Sequence, residues 1–328
     1  MSEAEPINPT EPEDHPQTMK LKTTTLSLAA ACLAAPVLCP AQPSAHYVPG
    51  VEGIKAASLP PPGVYLRDYN VVYYSDRLND ANGDKVSALD TKALIYANVP
   101  RLLWITDQQV LGGFLGVDAL LPLQYTDLDI KVNHGPTVIN DGTFGIGDFF
   151  VEGTWSKHIK QFDFSLAYGI WAPTGDSSSQ PVSTRAGLGY WTHMFTAGVT
   201  WYPDADKKWA ISALNRYEIS MDKDDAQIAP GVYADVTPGQ AYTLEYAASR
   251  TVCPNVEVGV VGYYQKKTTQ DSAGGALQQR DMVAAIGPEV SAFCTKLGIN
   301  TSLRYLYEFA AENGLQGHTI ALTLTKRF

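Results

Sequence analysis

Cysteine, histidine and helical periodicity are all scarce in this chain. Its 328 residues include four cysteines and six histidines. His46, His134, His158, His193 and His318 are scattered without metal-ligand spacing, so no metal site or other cofactor is expected. No glycine-rich loop follows a strand and opens a helix, which removes the usual phosphate-binding readings. No stretch of useful length carries a 3.6-residue apolar period. Apart from one apolar stretch near the N-terminus, no run approaches the length of a membrane-spanning helix. A basic surface is missing too: the formal net charge is −10, which argues against a nucleic-acid partner.

The N-terminus sets the expected compartment. Residues 1–18 are acidic and proline-rich and read as a misassigned start or a disordered segment, with Met19 as the true start. Residues 19–45 read as a secretory signal peptide: Lys20 and Lys22, an apolar stretch from Leu26 to Cys39, then small residues. Cleavage is expected after Ala41 or after Ala45. The apolar stretch is too short for an anchoring helix. Leu38 before Cys39 and the early position of Cys32 disfavour a lipoprotein. Removing 1–45 takes away five acids and two lysines, which leaves a net charge near −7. Cys253 and Cys294 then remain, and an exported chain with two cysteines invites one disulfide between them.

From Gly63 onward one phrase repeats: ten to fifteen residues alternating apolar with small or polar, then a turn or loop rich in Asp, Asn, Gly, Pro and Ser. Strands are predicted at 63–76, 91–105, 112–124, 144–157, 161–173, 190–202, 208–220, 240–252, 256–268, 281–293, 298–310 and 318–328. Their lengths suit a tilted bilayer crossing, about twice the usual soluble strand. Long and short connections alternate, and aromatic pairs such as Tyr73-Tyr74 and Trp201-Tyr202 sit near strand ends. The expected fold is all-β: a transmembrane antiparallel β-barrel of about 12 strands over 63–328, with long extracellular loops and short periplasmic turns, in the outer membrane of a Gram-negative bacterium. The segment 46–62 reads either as a periplasmic lead-in to the first strand or as a plug folded into the lumen. Pro60, Pro61 and Pro62 would stiffen it.

The stretches "GVEGIKAASLPPPGVYLRDYNVVYY" (50–74), "PRLLW" (100–104), "GIGDFFVEGTW" (145–155), "YGIWAPTG" (168–175), "GYYQKKTTQD" (262–271) and the final "RF" together resemble the outer-membrane family named for the meta-pathway of phenol degradation. The resemblance implies a transporter-like barrel that passes small hydrophobic or aromatic solutes. It does not imply that the barrel degrades phenol, and it carries over no catalytic residues.

Strand parity places Asp148, Glu152, Glu218, Glu245, Glu257, Glu289 and Glu308 on the lumen face, with Arg216 and Arg304, and with Arg101 if Pro100 makes a bulge. These charges could line a net-acidic pathway. They are read mostly as pairing across the wall, with Arg216–Glu218 and Arg304–Glu308 as the expected pairs. An enzyme is not expected. His193 groups with Phe195, Ala197 and Val199 on the lipid face, and no serine stands where a His-x-Ser motif needs one. The expected function is diffusion of small hydrophobic or aromatic compounds. The alternative is a closed structural or surface-interaction barrel that binds through loops 125–143 and 221–239. The last residues, "HTIALTLTKRF", read as a strand that pairs with the first one. The terminal Phe328 resembles the signal read by the outer-membrane assembly machinery, although Lys326 stands where an apolar residue is more common.

Overall fold

The computed structural model of the chain describes residues 45–178, 181–229 and 231–328. The expected signal peptide lies almost wholly outside them. The strands, in chain order, are β1 (Gly63–Leu78), β2 (Leu89–Val110), β3 (Gly113–Leu120), β4 (Leu123–Val132), β5 (Thr137–Ile146), β6 (Phe149–Ile159), β7 (Phe162–Ala172), β8 (Thr192–Trp201), β9 (Trp209–Ser220), β10 (Lys223–Ala229), β11 (Val232–Thr237), β12 (Ala241–Cys253), β13 (Val256–Lys267), β14 (Ser272–Ala273), β15 (Ala276–Leu277), β16 (Met282–Cys294), β17 (Ile299–Glu312) and β18 (Leu315–Arg327).

Fourteen of these form one antiparallel sheet that closes on itself, because β1 pairs with both β2 and β18. β3 and β4 both pair with β2 and together make one stave, interrupted at Leu121–Pro122. β5 and β6 make another, interrupted at Gly147–Asp148. The wall therefore has twelve staves. The last one runs to the end of the chain, with Tyr65 opposite Arg327 and Tyr74 opposite His318. Closure leaves no row of unpaired amides facing lipid.

Alternation along each stave sorts the side chains. Leu102, Trp104, Leu166, Phe195, Leu303, Phe309 and Ile320 are exposed, whereas their neighbours Arg101, Leu103, Ser165, Met194, Arg304 and Thr319 are buried. Trp104, Phe162, Trp201 and Trp209 stand toward the rim of short turns, and Tyr74, Tyr96, Tyr168 and Tyr307 toward the rim of long loops. An apolar outer band between two aromatic rings is the surface that a bilayer requires. A polar cluster on β1 and β2 interrupts it. The Asp68 carboxylate accepts from Asn70 Nδ2 at 2.8 Å and Asn98 Nδ2 at 2.9 Å, and Tyr96 donates to Asn70 Oδ1 at 2.9 Å. Asp68 shares the parity of the exposed Leu66 and Val72. Asp68→Arg is expected to lower the unfolding free energy by about 2–4 kcal/mol in lipid, while Asp68→Asn keeps the cluster and stays near wild type. Urea titration in bilayers checks this.

Three features depart from the sequence reading. First, most of 125–143 is not loop. β4 and β5 form a hairpin beyond the wall, turned by Asn133 and His134 at φ 50° and 56°. Leu128 and Ile130 point inward and join Leu78 and Ala93 in a small core, while the intervening Asp127 and Asp129 made the segment look like loop. Second, 221–239 contains the β10–β11 hairpin, and 313–314 is a tight turn at Asn313, φ 51°. Third, Cys253 and Cys294 are free, exposed thiols. Val256 pairs with Cys253 on one side and with Ala292 on the other, so β13 separates the two cysteines. Two strand spacings are roughly 10 Å, beyond the roughly 7 Å Cα separation a disulfide bridges.

Candidate functional site

Residues 45–59 fill the lumen. The chain enters beside β1 at the short-turn rim and climbs toward the long loops, binding a carboxylate or an arginine at nearly every level. Ser58 Oγ donates to Asp163 Oδ2 at 2.7 Å, and Lys55 Nζ reaches Glu257 at 2.7 Å. The Ile54 N–H donates to Glu289 Oε2 at 3.0 Å. Arg304 donates to the carbonyls of Gly50 and Val51. A Cβ on Gly53 would collide with the Glu289 carboxylate, so any larger residue there would push that carboxylate off the Ile54 N–H.

Higher up, Glu245 is the main anchor. It accepts from Tyr47 Oη at 2.5 Å, the Gly50 N–H at 2.8 Å, the Glu52 N–H at 3.1 Å and Arg216 at 2.7 Å. Arg216 also lies over the Tyr47 ring, 4.0 Å from its centroid. Glu218 Oε1 accepts the Tyr47 N–H at 3.1 Å, and Gln265 donates to the Tyr47 carbonyl at 2.9 Å. At the top, His46 stacks near Trp171 and bonds Asp148 Oδ2 at 3.0 Å. Asp148 also accepts from the backbone of Gly175, Leu188 and Gly189, which ties the 173–191 connection to the plug.

Glu52 is the plug's own carboxylate. Arg67 and Arg101 donate to it at 2.8 and 2.9 Å, and Tyr69 Oη at 2.8 Å. Arg101 also forks onto Asp118 with two 2.8 Å bonds and reaches Glu152 at 3.1 Å. Burial alone would push the Glu52 carboxyl up, but the Arg67, Arg101 and Arg216 guanidinia outweigh it and hold it down at about 2. A depressed acid stabilises docking above its ordinary pKa of 4.5 and loses that contribution as pH falls toward about 2. The share of docking that wild type has and Glu52→Gln lacks is therefore expected to hold from pH 8 to 5 and to fade only in strong acid, as planar-bilayer recordings of the two proteins across that range would show.

The arginine pairs differ from those expected from sequence. Arg216 bonds Glu245 on the adjacent strand rather than Glu218, and Arg304 lies 3.5 Å from Glu289, its directly opposite residue, rather than pairing with Glu308. Residues two apart on one strand, such as Arg216 and Glu218, stand parallel and about 7 Å apart, and residues four apart, such as Arg304 and Glu308, about 13 Å, whereas cross-strand neighbours are about 5 Å apart. Glu308 instead accepts from Tyr73 at 2.9 Å and Tyr263 at 2.6 Å. Sequence reasoning missed Glu52, Arg67 and Asp118. Parity alone would have placed Arg67 and Asp118 on the inner face. Glu52, in a strandless segment, carries no such signal. His193 lies on the outer face, 2.7 Å from Tyr168 Oη. Among the described residues no group of three or more His, Cys, Asp or Glu side chains could hold a metal ion.

Above the plug the inner wall turns apolar. One cavity of about 180 Å³ is bounded by Val48 and Val51 of the plug and by Val71, Ile95, Val99 and Val283 of the wall, and reaches Asn313 at the loop rim. A second, about 100 Å³, lies across Val48 and Val51 against Phe150, Trp171 and Met194. The two share Ala97, Val99 and Gln124.

A closed barrel with an apolar outer belt, a charged waist and a lumen filled by its own N-terminal segment is a membrane-spanning β-barrel of the plugged type. The chain belongs to the family described as "Putative MetA-pathway of phenol degradation", whose model matches residues 75–324. Among solved structures, the fold is similar to an outer membrane channel from Pseudomonas putida F1, with TM-score 0.73 and 18% identity over 86% of this chain and 100% of that one. The transport unit of the autotransporter AIDA-I from Escherichia coli matches at TM-score 0.47 and 11% identity, over 81% of this chain and 90% of that one. A deletion mutant of the TodX monoaromatic hydrocarbon channel matches at 0.44 and 12%, over 82% and 91%. Similarity at the level of these last two carries no functional comparison. No curated protein matches the sequence significantly.

Proposed function

We propose that this barrel admits small, uncharged hydrophobic or aromatic molecules across the outer membrane of a Gram-negative bacterium, with its plug barring free passage of water-soluble solutes. The observation that carries this reading is the apolar chamber above the plug. At about 180 Å³ its larger lobe is of the size of the ~150 Å³ apolar cavity that takes benzene. Asp281, Glu308 and Glu312 border it, an acidic set that disfavours aromatic carboxylates. Family membership, through its link to phenol degradation, supports the same substrate class. The terminal Phe328, exposed at the turn rim, fits a role in recognition by the assembly machinery, so its deletion would impair assembly rather than transport.

The test is uptake of labelled toluene and phenol at limiting concentration by cells with and without the gene. Faster uptake with the gene, and no gain for glucose or benzoate, is the expected result. Equal uptake of toluene by both strains would overturn the reading and favour a closed barrel that acts through its projecting hairpins.

A further inference from the structure

The upper end of the plug is built around a carboxylate with one oxygen left unpartnered. Glu218 is 2% exposed, yet its Oε2 makes no hydrogen bond. Buried carboxylate oxygens without donors are rare and costly. Its other oxygen takes the Tyr47 N–H at 3.1 Å, and the His46 N–H faces the same carboxylate. Asp148 binds His46 from the other side. Lys267, the nearby cation, is already committed to Asp271 at 2.7 Å and to the Gly239 carbonyl at 3.1 Å. Two carboxylates therefore hold one residue, Glu218 at its backbone N–H and Asp148 at its imidazole, and that residue follows Ala45, one of the two cleavage positions legible in the sequence.

We propose that signal-peptide removal cuts between Ala45 and His46, and that the new α-ammonium of His46 docks on Glu218 and locks the plug. In this step a signal peptidase adds water across the Ala45–His46 peptide bond. Ala45 leaves with the carboxylate, and the freed His46 amine takes up a proton. An amide nitrogen at position 46 offers one N–H; an ammonium offers three and a positive charge, enough for both Glu218 oxygens. Cleavage after Ala41 would instead leave residues 42–45 joined to His46, so that position 46 would offer Glu218 an amide N–H and no ammonium. Correct processing thus becomes part of closing the channel.

N-terminal sequencing and intact mass of the protein extracted from outer membranes test this directly. A first residue of His46 is expected, and Gln42 or any other first residue overturns the proposal. A second test moves the ammonium while leaving Glu218 intact: Gly-Ser inserted between Ala45 and His46, in protein confirmed to begin at the inserted glycine. Its plug should open roughly tenfold more often in single-channel recordings, the effect of losing one hydrogen bond to a buried charged group. Unchanged opening would contradict the lock. Neither arm depends on which solute the barrel carries.

Discussion

Glu245→Leu is expected to turn a nearly silent barrel into a conducting one. Four donors converge on this carboxylate, three of them from the plug: Tyr47 Oη, the Gly50 N–H and the Glu52 N–H. The fourth is the wall residue Arg216, at 2.7 Å. Leucine removes every one of these acceptors and leaves a guanidinium buried beside an orphaned phenol. Breaking a buried pair by removing one partner costs about 3–5 kcal/mol. Most of that cost falls on the docked plug, because the undocked state lets water reach Arg216. The fraction of time the plug is released should rise by roughly 10²–10³. Single-channel traces would show long openings where wild type shows few, and a protease added from the open side would cut within 46–60. Glu245→Gln keeps the shape and some of the acceptors, and is expected to fall between the two.

Arg101→Leu is expected to act on the wall as well as the plug. Arg101 is 7% exposed and holds Glu52, Asp118 and Glu152 together. Without it three carboxylates remain in a space screened from water, and of the side chains that bond Glu52 only Arg67 and Tyr69 are left. A loss of about 3–5 kcal/mol in unfolding free energy is expected, large enough to lower the temperature at which the barrel loses its compact gel mobility. Arg101→Lys keeps the charge but not the two-pronged contact to Asp118, and should recover only part of that loss. Equal melting of wild type and both variants would show that the network contributes nothing.

The barrel was legible because a closed sheet imposes a period of two on every stave. Alternation in 162–173 or 299–309 reports one fact twice, which side faces lipid and which faces the lumen. The alternating loop lengths then report direction. What escaped reading did so for a physical reason. The 125–143 hairpin leaves the bilayer, so its outer face carries Asp127 and Asp129, and its strand character was hidden by polarity. The arginine partners were misassigned because spacing along one strand says nothing about register between strands. Arg304 finds Glu289 only once β16 and β17 are aligned. The plug was harder still. Residues 45–59 have no period, since they meet a different wall strand at each level. Their role becomes visible only when Glu245, Glu289, Glu257 and Asp163, separated along the sequence, are gathered around them. The apolar chamber carries no signal in the lumen-face charges, because Val71, Ile95 and Val99 meet the plug's Val48 and Val51 only once the segment is folded into the lumen.

If residues 46–60 close this barrel, removing them must open it. Single-channel conductance of the wild-type protein and of the 46–60 deletion, measured in the same planar bilayer, addresses it most directly. Small, rare openings are expected for wild type and a large, stable conductance for the deletion. The same low conductance in both proteins would contradict it, and would mean that the wall itself, with its charges paired across strands, seals the lumen without the plug.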